Sequence, residues 1–197
     1  EQAINEVEKR YQSQFITSII NGYFESNRVV FEKAESFGWD FSNPHVVVLI
    51  EVGFMDKANM PAYNSQKYRQ IRESILATVK FEASRMYHKK ELVVLEYGGN
   101  VLLLILHGNK TNSYSATIAR VRRNAYKIYE KVAKQIQRSY VSVGISRIHE
   151  NIADMGISYK EARQALEFVG KTQKNSPVVA FDDLGVYRLI DKVPNNV

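Results

Sequence analysis

Few residues in this chain have types and spacings that could do chemistry. Gly98 and Gly99 join two apolar runs in Glu91 to His107, ELVVLEYGGNVLLLILH. Two glycines between strand-like runs fit a tight hairpin, because primed turns need positive φ and glycine adopts it without steric cost. The hairpin tip is where a catalytic motif would sit. Asp182 and Asp183 invite a metal reading, but aspartate so readily bonds nearby backbone amides that a turn or helix cap fits better. His45, His88, His107 and His149 show no pairing at metal-ligand spacing. No Ser-His-Asp or Cys-His arrangement can be proposed either, so each histidine is expected to be structural or exposed. Cysteine is absent, which excludes disulfides and thiolate metal sites and suits the cytoplasm.

Several elements must position that tip. Ile4, Val7, Tyr11, Phe15 and Ile19 recur at helical spacing and predict an amphipathic helix ending near Asn21 and Gly22, which lies against the domain or against a second copy. A second helix is expected from Ser26 or Asn27 to Gly38, burying Val30, Ala34 and Phe37. After a turn-rich link, Trp39 to Pro44, the run His45 to Val52 reads as a central strand covered on both faces. Gly53 to Asn64 reads as loop, and Ser65 to about Tyr87 as a helix turning Ile71, Ile75, Val79 and Met86 inward. Beyond the hairpin, Gly108 to Asn112 is expected to be loop.

Tyr114 to Arg138 has the clearest helical pattern: Ile118, Val121, Ala125, Ile128, Val132 and Ile136 form one stripe. Arg120, Arg123, Lys127, Lys131, Lys134 and Arg138 are expected opposite it, as a solvated outer face. A strand from Tyr140 to Ile148 and a helix from Asp154 to Gly170 follow, the helix burying Tyr159, Ala162, Ala165, Leu166 and Val169. Val178 to Phe181 is expected to be a short strand, Asp182 to Ile190 a turn with a short helix or strand, and PNNV a frayed end. The order βαββαβ with additions predicts an α+β fold, a split-βαβ, ferredoxin-like sheet with packed helices and an N-terminal helical extension.

Composition narrows the class. The 197 residues suffice for one generous domain, and 45% hydrophobic with 24% charged content is ordinary for a globular protein. A net charge of +6 favours acidic partners only weakly. No apolar run approaches the roughly 18 residues of a membrane-spanning helix, and the early Glu1, Glu6 and Glu8 are unlike a signal peptide. A start at Glu1 rather than Met leads to the expectation of a portion of a longer protein.

The order of elements, with its glycine-glycine hairpin, resembles the GGDEF domain of diguanylate cyclases. It resembles more closely the GGDEF-like domain of transcription regulators of the PucR and CdaR type, which govern purine or sugar-diacid catabolism. The stretches carrying the resemblance are QFITSIINGYFESNRVVFEKAESFGWDFSNPHVVVLIEV and VSVGISRIHENIADMGISYKEARQALEFVGKTQKNSPVVAFDDLGVYRLI, within about Gln14 to Ile190. A cyclase needs carboxylates that hold divalent cations against a triphosphate. The family tip is Gly-Gly-Asp/Glu-Glu-Phe; here Gly98 and Gly99 fit the glycines, while Asn100, Val101 and Leu102 replace the acidic pair and the aromatic. Glu51, at the expected end of the first strand, takes the place of one metal-binding carboxylate, and Gly53 stands where a cyclase carries another. The product-inhibition motif falls on Lys89 to Leu92, where Leu92 lacks its carboxylate.

The reading is therefore a degenerate cyclase fold with no catalytic residue, cofactor or metal. It comprises a lead-in over 1–40, the GGDEF-like domain over 41–191 and a tail over 192–197. The resemblance implies a regulatory domain, a homodimer in the cytoplasm without membrane contact, open to a small-molecule effector. DNA would be reached only through a helix-turn-helix outside this chain. The alternatives are a divergent nucleotide cyclase using Glu51 and Asn100 with Mg²⁺, and a nucleotide- or metabolite-binding sensor.

Overall fold

The computed structural model describes residues 2–54, 66–106, 113–136, 139–172 and 176–185. In chain order the elements are α1 (Gln2–Ile20), α2 (Asn27–Ser36), β1 (His45–Phe54), α3 (Gln66–Ser84), β2 (Leu92–Tyr97), β3 (Asn100–Leu106), α4 (Tyr114–Gln135), β4 (Ser139–Ile145), α5 (Met155–Thr172) and β5 (Val178–Ala180). Short 3-10 turns cover Lys89–Glu91, Ile152–Asp154 and Phe181–Leu184. The fold is α+β, as the sequence order predicts.

Strand order is β2-β3-β1-β4-β5, with β1 central and antiparallel to β3 and β4, and β5 parallel to β4. The first four strands are the split-βαβ sheet, to which β5 is added. β1 is buried on both faces, which is why its sequence is almost continuously apolar. Val46, Val48 and Ile50 meet α3 and α4 through Ile75, Val79, Val121, Ile128 and Val132. Val47 and Leu49 meet the other layer, built from Phe15, Ile16 and Ile19 of α1, Val30 and Ala34 of α2, and Ala162 and Leu166 of α5.

The link Trp39 to Pro44 joins this second layer through its rings. Phe15 and Trp39 both stack with Phe41, with centroids 6.1 Å and 5.7 Å away. Asp40 holds the turn by accepting from the Ser42 amide at 3.1 Å and the Asn43 side chain at 2.8 Å. α2 starts where its capping residue predicts, with Ser26 Oγ accepting from the Val29 amide, and stops before Gly38 at φ 77°.

Some expectations are corrected. α1 buries Phe15 and Ile19, but Val7 and Tyr11 are 51% and 58% exposed; the side chain of Ile4 lies outside the described part. Those two residues sit about a quarter to a third of a turn away from the docked side at 100° per residue, so the stripe does not stay on one face of the domain. β1 runs on through Gly53 to Phe54, β4 ends at Ile145 rather than Ile148, and α5 passes through Gly170 to Thr172. Gly170 does not stop it because a glycine within a helix weakens the helix without ending it. Arg120 is not on the solvated face: its guanidinium lies 5.6 Å from the Tyr87 ring centroid. Arg123, Lys127, Lys131 and Lys134 are exposed as expected. His107, the expected loops over 55–64 and 108–112, Arg138, and the residues after 185 lie outside the described residues.

The hairpin closes with Tyr97 paired to Asn100 and with φ of 56° at Gly98 and 84° at Gly99. Two consecutive positive φ values define the primed turn that matches the twist of the flanking strands. A Cβ at Gly99 would meet no atom of the described residues within 4 Å, so Gly99→Ala isolates the backbone penalty. We expect a loss of about 1–2 kcal/mol, read as a lower urea midpoint with an unchanged slope.

Candidate functional site

The end of the sheet at the hairpin tip gathers the residues a cyclase-like chemistry would use. Antiparallel pairing of Ile50 with Val101 sets Glu51 beside Asn100 on the neighbouring strand. Alternation along β1 and β3 turns both toward the layer of α1, α2 and α5, while Val101 points to α3 and α4. Glu51 is not at a strand end; it sits three residues before the end of β1, opposite Ser142 of β4. Asn100 is only 4% exposed and Val101 and Leu102 are buried. The two positions where the family carries acids are thus part of the packed sheet.

Gly53, the place of the other carboxylate, is covered. It pairs with Tyr140, whose ring lies across it: a Cβ on Gly53 would stand 2.0 Å from ring carbon Cζ. The aromatic fills the space above the strand that a side chain on residue 53 would take, an arrangement by which cross-strand aromatics shield glycines in sheets. On the opposite face, the cleft between α3 and the hairpin has a volume of about 30 Å³ and is lined by Ile50, Tyr68, Arg72, Glu96, Gly99 and Val101. Arg72 closes it, donating Nε to Glu96 Oε1 at 3.1 Å and Nη1 to the Tyr68 hydroxyl at 3.2 Å. A small-molecule pocket needs some 300 Å³ or more, so this cleft takes about one water.

Aromatic contacts lock the tip instead. The rings of Tyr97 and Tyr159 meet edge-on with centroids 5.0 Å apart, and the Tyr159 hydroxyl lies 3.0 Å from where a Gly98 Cβ would be. Tyr97 is also hydrogen-bonded to the Asn21 side chain at the end of α1; burial raises its phenol pKa, the nearby Tyr159 adds to this, and the Asn21 bond partly offsets it. Among the described residues no three His, Cys, Asp or Glu side chains gather so as to hold a metal ion. One carboxylate, a buried amide, a valine and a covered glycine do not fit a divalent cation with a triphosphate.

A second cluster, unanticipated from the sequence, lies at the other end of the sheet. His45 begins β1 and forms an antiparallel bridge with His149 after β4, their ring centroids 5.9 Å apart. His45 Nε2 is 3.0 Å from Ser158 Oγ, which itself donates to the Asp154 carbonyl. The hydroxyl hydrogen is thus committed, so His45 donates through Nε2 and leaves Nδ1 without a hydrogen-bond partner among the described residues. Glu161, 4% exposed, accepts from the Arg147 amide at 3.1 Å and from its Nε at 2.9 Å, and lies 3.0 Å from His149 Nε2. Burial pushes the Glu161 carboxyl up, but its bonds to Arg147 and His149 outweigh this and hold it below the usual range.

This cluster has the residue types of a proton relay without access to a substrate, since Ser158 and His45 are fully buried. The expectation that the histidines are structural or exposed agrees with buried His45 and exposed His88. No local spacing could have revealed the cluster, because Ser158 lies 113 positions from His45.

Asp183 behaves as the predicted cap, accepting from the Ala180 amide at 3.0 Å, and also holds Arg122 with both oxygens at 2.8 and 2.9 Å. Asp182 accepts from the Tyr114 hydroxyl. These pairs border an open groove of about 790 Å³ along α4 that includes Ile118, Arg123, Tyr126 and Lys127, the basic flank foreseen from the sequence.

The sequence pattern of the GGDEF-like domain matches residues 22–168. The chain belongs to the GGDEF-like family. The match begins after α1 and stops within α5, short of the Gln14 to Ile190 span over which the resemblance is drawn. Among solved structures, an EAL/GGDEF domain protein from M. capsulatus is 15% identical, with a TM-score of 0.46 over 76% of this chain and 92% of its own. The GGDEF domain of DgcB from Caulobacter crescentus, solved in complex with c-di-GMP, is 10% identical, with a TM-score of 0.42 over 77% and 83%. No curated protein matches the chain.

Proposed function

We propose that this GGDEF-like chain is a non-catalytic regulatory and dimerising domain of a bacterial transcription regulator of the PucR and CdaR type. DNA contact then belongs to a helix-turn-helix outside this chain, and a small-molecule effector acts on the assembly. The observation that carries the reading is the state of the sheet end: Asn100 and Val101 are buried and Tyr140 lies over Gly53. The tip serves packing, which suits a domain that transmits rather than reacts.

Dimerisation is supported by the first half of α1, where Val7 and Tyr11 leave more than half of their surface exposed among the described residues. Sedimentation at high concentration is expected to show a dimer that Val7→Asp with Tyr11→Asp converts to monomer; a monomeric wild-type chain sinks the dimer reading. The rival is a divergent cyclase, favoured only by the adjacency of Glu51 and Asn100. Incubation with GTP or ATP and Mg²⁺ or Mn²⁺ is expected to give no turnover. Turnover lost in Glu51→Gln would establish the rival.

A further inference from the structure

The ring contacts at the hairpin tip and the cluster around Glu161 form two joints that both fall on the first two turns of α5, on different sides of the helix. Gly156, Tyr159 and Arg163 follow one another at helical spacing on the side facing α1 and the hairpin. The Ile20 carbonyl oxygen lies 2.5 Å from where a Gly156 Cβ would be, Tyr159 meets Tyr97 and Gly98, and Arg163 is hydrogen-bonded to Tyr159. Ser158 and Glu161 lie about 200° round the helix from Gly156 and Tyr159 at 100° per residue. This second side holds His45, His149 and Arg147. Arg147 continues outward, with its guanidinium 5.1 Å from the centroid of the Phe181 ring in the turn Phe181–Leu184.

Between the two sides, α5 rests on the sheet at Gly144, where the Ala162 carbonyl oxygen comes within 2.1 Å of a would-be Cβ. A glycine there presents no side chain for the helix to interlock with, so the contact can act as a pivot. We infer that α5 is a coupling element: the end of α1 and the glycine hairpin grip one side of it, and Arg147 with the turn Phe181–Leu184 grips the other. A displacement of α1 is thereby felt at the far end of the sheet. The inference rests on the regulatory reading and supplies its internal route, in which the hairpin tip receives α1 instead of substrate.

Hydrogen exchange on the whole chain tests it. Gly156→Ala drives a methyl into the Ile20 carbonyl and disturbs only the α1 side directly. It is expected to accelerate exchange at the Gly185 amide, bonded to Asp182, and at the Arg147 amide, bonded to Glu161, by about fivefold or more, while α3 amides keep wild-type rates. Coupling is reciprocal, so Arg147→Ala should accelerate exchange in the hairpin at Tyr97 to Asn100. If Gly156→Ala does not fold, Asn21→Ala removes a single side-chain bond to Tyr97 and takes its place. Acceleration confined to the altered joint, or uniform through the chain, overturns the inference. The measurement needs neither a dimer nor DNA, so a monomeric or catalytic chain would remove the proposed function while leaving this result to stand or fall separately.

Discussion

Gly144→Ala will destabilise this domain by about 3 kcal/mol, the upper end for forcing a methyl group into a packed core. The reason is backbone against backbone. A Cβ at Gly144 would stand 2.1 Å from the Ala162 carbonyl oxygen and 2.9 Å from the Leu166 amide nitrogen. A side chain in that position could turn aside; the backbone of a helix can only lift as a unit. Lifting α5 uncovers Ala162, Ala165 and Leu166, all buried, and strains the Glu161 and Ser158 contacts beyond. Thermal unfolding should fall by about 10 °C for a chain of this size, well beyond the change in Gly99→Ala, where no neighbouring atom is met. Gly144→Val, with two further methyl groups, is expected not to accumulate as folded protein. A Gly144→Ala variant as stable as wild type would show that α5 does not sit on β4 at this distance.

Local chemistry made much of this fold legible. Gly98-Gly99, the capping Ser26, the stop at Gly38 and the apolar run of β1 each impose a conformation through their own covalent structure or pattern, so their readings agree with the structure. The misses have another origin. Arg120 sits at the spacing of a solvent-facing stripe, yet Tyr87 from another element offers its ring. Val7 and Tyr11 continue the period of α1, yet they lie about a quarter to a third of a turn off the side on which Phe15 and Ile19 dock, so they stay exposed. The apolar run places the end of β1 at Val52, next to Glu51, yet the strand continues to Phe54, because Gly53 and Phe54 still have Tyr140 and Ser139 of β4 to pair with.

At the candidate site the substitutions Asn100, Val101 and Leu102 could be read directly, but their consequence could not. Burial of Asn100 and the Tyr140 ring over Gly53 arise from strand register, which no local window contains. The cluster around Glu161 is the extreme case. Its members come from β1, the segment after β4 and α5, and only the closed sheet brings them together.

That cluster makes the domain acid-sensitive at a pH well above the usual carboxylate range. His45 is held neutral: its pKa is pushed down from 6.5 to about 3, first by burial and then by His149. Protonating Nδ1 would place a buried cation where no partner meets it among the described residues. The folded state therefore refuses a proton that the unfolded chain accepts below pH 6.5, so stability is complete above that pH and falls as pH drops toward 3. The slope is about 1.4 kcal/mol per pH unit, giving a loss of about 2 kcal/mol between pH 6.5 and 5. Glu161 follows in sequence: its lowered carboxyl pKa contributes stability above the ordinary carboxylate value of 4.5, lost as pH falls below it. Urea unfolding at pH 7, 6 and 5 should resolve the histidine step before the carboxylate one begins. His45→Leu separates it further, because leucine keeps the volume while leaving Ser158 Oγ without its donor. It should cost about 1–2 kcal/mol at pH 7 and flatten the slope between pH 6.5 and 5. A His45→Leu variant that keeps the wild-type slope would assign the acid sensitivity to another group and remove the bare Nδ1 as its cause.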